Sequence, residues 1–152
     1  MKTAVLPSAI PVSVAQRKSF TRLFPAIARV VMGAPLVVFG LNSFLNFIPP
    51  PTTPLPETAM TFVTALALSG YMMPLIGATL LIVGALLLAN RFVPLALVLM
   101  APFLVNSLAF HFILEPTGRP PAVVFTVLEL YLAWSYRAAY RKLFVARTTP
   151  TA

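Results

Sequence analysis

TAMTFVTALALSG, residues 58–70, decides the fold, because its reading sets how many times the chain crosses a membrane. It is apolar and helical in flavour, yet thirteen residues rising 1.5 Å each cover only about 20 Å, short of the roughly 30 Å of a hydrocarbon core. Ser69 and Gly70 close it. As a full span it would make five crossings and put the two chain ends on opposite faces. As a re-entrant or interfacial helix it leaves four.

The flanking chain favours four. Apolar runs of transmembrane length extend over 25–48, 71–89, 92–114 and 121–140, without strand-like alternation. Pro25, Pro74, Pro94 and Pro121 fall in the expected first turns, where a missing N–H is cheap, while Pro35 and Pro102 lie inside their spans and predict bends. Asn90 and Arg91 leave room only for a tight hairpin, and Glu115-Pro116-Thr117-Gly118 reads as a turn. PPPTTPLPE, residues 49–57, holds five prolines in nine residues and predicts an extended loop.

Charge gives orientation. With four spans, Lys2, Arg17, Lys18, Arg22, Arg29, Arg91, Arg137, Arg141, Lys142 and Arg147 fall on one side or at its edge, and Arg119 alone falls opposite. Ten against one is a strong positive-inside bias, so both termini are expected in the cytoplasm. Residues 1–20 then form a mobile or interfacial tail, 21–145 the membrane domain, and 146–152 a second tail. The expected fold class is all-α: an integral membrane four-helix bundle with a short re-entrant or interfacial helix, about 58–69, between spans one and two.

Composition agrees. Of 152 residues, 59% are hydrophobic and 9% charged, more apolar surface than a soluble domain of this size can bury. The net charge of +8 sits at the ends of apolar spans rather than in an aromatic and basic patch, so the expected partner is the lipid bilayer and not nucleic acid. Cysteine is absent, which excludes disulfides, thiol redox chemistry and thiolate metal sites.

The few polar residues inside the spans are the candidate site. Glu129 lies roughly 12 Å from the outer end of span four, where an ionisable group costs about 2.5 kcal/mol or more. Ala122, Thr126, Ala133, Tyr136 and Tyr140 share its face, which is expected to point inward. Asn106 lies at about the same depth and Asn42 slightly higher, so the three can form a polar layer; Arg29 is the charged alternative, reaching toward Glu129 or snorkelling to the headgroups. The functional reading is a proton-active or quinone-contacting carboxylate, and the structural one a hydrogen-bonded helix clamp. His111, the one histidine, reads either as a headgroup contact or as an interfacial residue bonded to Asn46, Glu57 or water. One His and three scattered Glu make a poor metal set, and no haem can be held by two histidines of one chain. Gly33, Gly40, Gly70, Gly77 and Gly84 recur at sevens and predict close helix packing.

In order and spacing, GLNSFLNFIPPP, TAMTFVTALALSGYMMP, ANRFVPLAL, VNSLAFHFILEPTG and LELYLAWSYRAAYRKLF resemble the DoxX family of small four-span bacterial membrane proteins, over about residues 22–145. The resemblance implies the bacterial cytoplasmic (inner) membrane and association with membrane redox subunits. It assigns no catalytic residue. Three functions follow in order: a non-catalytic accessory subunit of a larger respiratory or photosynthetic complex, with no cofactor of its own beyond a bound quinone or lipid; a quinone-linked oxidoreductase component using Glu129, His111 and the Asn pair; and a small-solute or proton pathway.

Overall fold

A computed structural model describes residues 12–49 and 52–141. Among these the chain is helices joined by turns and short loops, without a strand. Helix α1 runs Val12–Leu45, α2 Glu57–Leu68, α3 Met72–Leu88 and α4 Val93–Ile113. A single 3-10 turn, Pro116–Gly118, leads to α5, Arg119–Ser135, and a one-turn α6, Arg137–Tyr140. Residues 1–11 and the tail expected at 146–152 lie outside the described residues.

Each expected segment is a helix, with shifted ends. The largest shift is at α1, which begins at Val12 and carries Pro25 as well as Pro35 inside it. Pro25 therefore does not start the helix, and residues 12–20 continue α1 rather than forming a separate tail. Interior proline removes one helical hydrogen bond but does not stop a helix whose flanking residues still pair. Among the described residues two helices are long and apolar enough to cross a membrane, α4 and the Leu23–Leu45 part of α1; α2 and α3 together make a third candidate, bent by 90°.

The turns show why the helices end where they do. Asn46 takes a positive φ of 49° after α1, and the Asn42 side chain accepts from the Ile48 N–H at 2.7 Å, satisfying the departing strand of chain. Between α2 and α3, Gly70 adopts φ 75°, which only a residue without Cβ takes freely, while the Ser69 hydroxyl donates to Leu66 O and accepts from Met72 N. After α3, Arg91 N–H bonds Leu86 O and Asn90 N–H bonds Leu87 O around a left-handed Asn90, a Schellman closure that makes the tight hairpin.

Helices α1 and α3 form the most extensive contact, and α4 covers them with α5. Met32, Leu36, Val83, Leu87, Leu97, Met100 and Leu132 are almost wholly buried between the four. The outer surface is apolar too: Leu68, Val105, Ile113, Leu130 and Trp134 are each more than 60% exposed. A helical protein with that exterior is suited to lipid, where packing and not escape from water holds helices together.

Candidate functional site

At the α1–α3 seam, the glycines permit backbone contact. A Cβ on Gly40 would lie 2.6 Å from Leu81 N, on Gly77 2.5 Å from Ser43 Cβ, and on Gly84 2.8 Å from both Gly33 O and Val37 N. Gly33 faces Gly84 O at 3.1 Å. Four of the five heptad glycines thus bring the helices together. Gly70 does not: nothing lies within 4 Å of its Cβ position, and it serves the turn.

The expected polar layer is dispersed. Glu129 on α5 is buried at 7% exposure, as its face predicts, but its Oε2 has no hydrogen-bond partner among the described residues. Asn42 is occupied at the end of α1. Asn106 is exposed on the outside of α4. Arg29 donates from Nη1 to the Tyr136 hydroxyl at 3.0 Å, and its buried Nε has no partner among the described residues. The Tyr136 hydroxyl in turn donates to Asn90 Oδ1 at 3.5 Å, and Tyr140 donates to Pro94 O at 3.2 Å. These bonds tie α1, α5 and α6 to the α3–α4 hairpin; none of them reaches Glu129.

A different constellation forms at the opposite end. His111, in the last turn of α4, places Nδ1 2.9 Å from Glu115 Oε2. Glu115 is 5% exposed and also accepts from Thr117 N at 3.0 Å, Gly118 N at 2.9 Å and the Thr117 hydroxyl. The Thr117 hydroxyl is the strongest influence holding this carboxyl below its ordinary pKa; burial opposes it, and the Gly118 N–H, His111 and the Thr117 N–H add to it. An ionised carboxylate only accepts, so Nδ1 is the donor in this pair, and in the neutral imidazole that tautomer leaves Nε2 as the acceptor. Gly118 lies against the Nδ1–Cε1 edge so closely that no side chain fits there.

Neighbouring groups fix this end. Arg119 donates from Nε to His111 O at 3.2 Å and from Nη2 to Phe112 O at 3.0 Å, neutralising the carbonyl end of α4, and it stands 5.4 Å from the Phe112 ring centre. Phe110 meets the imidazole edge-on at 5.1 Å and Phe62 of α2 at 5.7 Å.

His111 also lines a cavity of about 190 Å³ between α1, α3, α4 and α5. Its walls include Leu36, Met100, Leu104 and Ala122, all buried, and Ser107 adds a hydroxyl beside His111. Phe39 and Pro121, both exposed, form the rim. The arrangement can take an apolar ring and offer one hydrogen-bond acceptor to a hydroxyl on it. Among the described residues no three His, Asp or Glu side chains converge as a metal site.

No family model, curated protein or solved structure matches the chain.

His111 was legible as a candidate, but its partner is Glu115, not Asn46 or Glu57. The missed residues are Glu115, Thr117 and Gly118. Their signal was the four-residue spacing from His111 to Glu115 at a helix end, which places both on one face.

Proposed function

We propose that this chain is a DoxX-like, four-span inner-membrane protein that acts as a non-catalytic accessory subunit of a membrane redox assembly, holding a quinol headgroup between its helices for a partner that carries out electron transfer. The third and fourth spans in this reading are α4 and α5; α3 and α5, at 17 residues each, rise about 25 Å and reach the lower end of the spanning range. Both termini then face the cytoplasm.

One observation carries the reading: the apolar cavity that has His111 at its wall, with Nδ1 committed to Glu115. At about 190 Å³ it is smaller than the roughly 300–1,000 Å³ pockets of drug-sized ligands, which suits a single ring whose isoprenoid tail stays in lipid. The bare Nε2 accepts from a quinol hydroxyl. Glu129, unpartnered and distant from the Glu115 loop along α5, is not needed for it.

The test is binding of a short-chain quinol to the protein in lipid nanodiscs. Ser107→Leu fills the cavity without touching the His111–Glu115 pair, and His111→Leu removes the acceptor. Each should weaken binding about tenfold or more, the equivalent of roughly 1.4 kcal/mol. Unchanged binding in both folded variants refutes the proposal.

A further inference from the structure

Asn106 is the starting point, because its placement is costly. It lies seven residues before Ile113, about 10 Å inside the end of a 21-residue apolar helix, and it is exposed on the outer face of α4. No hydrogen bond to its side chain forms among the described residues. The hydroxyls of Ser43, Thr79 and Thr126 return their protons to backbone carbonyls one turn back. An asparagine amide has two donors and a carbonyl and cannot do the same for all of them. Toward lipid, it requires a polar group from outside the chain.

The residues around Asn106 specify which. Leu99, Asn106 and Ile113 are seven apart, and so are Leu95, Pro102 and Ala109; all six are exposed. Interleaved, they read as the two core positions of a heptad, a seam with a period of 3.5 and one polar residue at its middle. Such a seam suits a parallel helix pair in which the asparagines meet. Pro102 and Ala109 flank Asn106 with little side-chain bulk, allowing close approach.

The geometry points to a second copy of this chain as the occupant: two α4 helices pack in parallel about a two-fold axis along the membrane normal, with Asn106 hydrogen-bonded to its counterpart. Identical chains inserted by the same charge bias have the same orientation, so their Asn106 side chains arrive at the same depth without further adjustment. Each amide donates to and accepts from the other, the reciprocal arrangement of an isologous contact. The pairing is independent of the His111 cavity and stands whether or not that cavity binds a quinol.

Because the chain has no cysteine, single substitutions report without background. Oxidative cross-linking in native membranes should join two copies through Leu99→Cys, Asn106→Cys and Ile113→Cys. It should fail for Ala101→Cys and Phe112→Cys, which are also exposed on α4 but turned about 100–120° from the middle of the seam. In nanodiscs or micelles, Asn106→Leu should weaken dimerisation about 3- to 30-fold while Asn106→Gln retains most of it. The variants leave the core untouched, so loss of dimer is not loss of fold. Cross-links spread evenly around α4, capture of a different protein at Asn106, a monomer under all conditions, or a dimer indifferent to Asn106→Leu each overturn the inference.

Discussion

Replacing Gly40 by alanine adds one methyl at the tightest backbone approach between α1 and α3. That methyl would lie 2.6 Å from Leu81 N and 2.9 Å from Leu81 Cα, where ordinary contact begins at 3.4 Å. The helices must therefore part by about 0.8 Å at this level, the difference between 3.4 and 2.6. A gap of roughly 0.5–1 Å forfeits about a quarter to a half of each atom pair's 0.1–0.2 kcal/mol. Over about 40 facing pairs, one buried side chain's worth, the loss is about 1–4 kcal/mol, in line with the roughly 1–3 kcal/mol typical of overpacking. Reversible unfolding in mixed micelles, followed by far-ultraviolet circular dichroism, measures it. Gly70→Asn is the control: its Cβ meets nothing, asparagine tolerates the left-handed turn, and stability should stay near that of the unsubstituted protein. Gly40→Ala within about 0.3 kcal/mol of that protein would refute the close packing of the seam.

Three further outcomes are expected. Glu115 has its pKa lowered from 4.5, so its contribution to the α4–α5 connection is complete above that value and is lost as pH falls below it; hydrogen exchange at Thr117 and Gly118 should quicken with acid, and Glu115→Gln should abolish that dependence. Tyr136→Phe removes the acceptor of Arg29 and should cost about 1.5–3 kcal/mol, with Arg29→Leu adding little in the double variant when unfolding is measured as above. Glu129→Leu relieves a buried oxygen that has no partner among the described residues and should leave stability unchanged or raise it by about 1–3 kcal/mol, whereas a marked loss would mean that Glu129 bonds a group beyond them.

Helix positions were readable from the chain because span length and proline content are local properties. The Gly33, Gly40, Gly77 and Gly84 seam was readable for the same reason, since periodicity identifies one face. Glu129 was placed correctly inward by the small and polar residues that share its stripe. Asn106 was not, because helix rise fixes depth but not direction, and α4 is apolar all round and offers no polar face to set its rotation. The Glu115 loop was not legible because Pro116 and Gly118 carry an ordinary turn signal, which by itself does not mark the adjacent carboxylate as a partner of His111. Gly118, whose φ of −84° any residue can adopt, is required there by the imidazole it touches.

The right angle between α2 and α3 has a mechanical consequence. In the four-span reading proposed above, with α3 upright, α2 would lie flat, an outrigger about 18 Å long fixed at one end to the bundle. A 10° lean of the whole assembly would drive its far end about 3 Å into, or out of, the hydrocarbon boundary. In that reading the short helix would level the protein in the bilayer and set its draught, much as a float does for a hull.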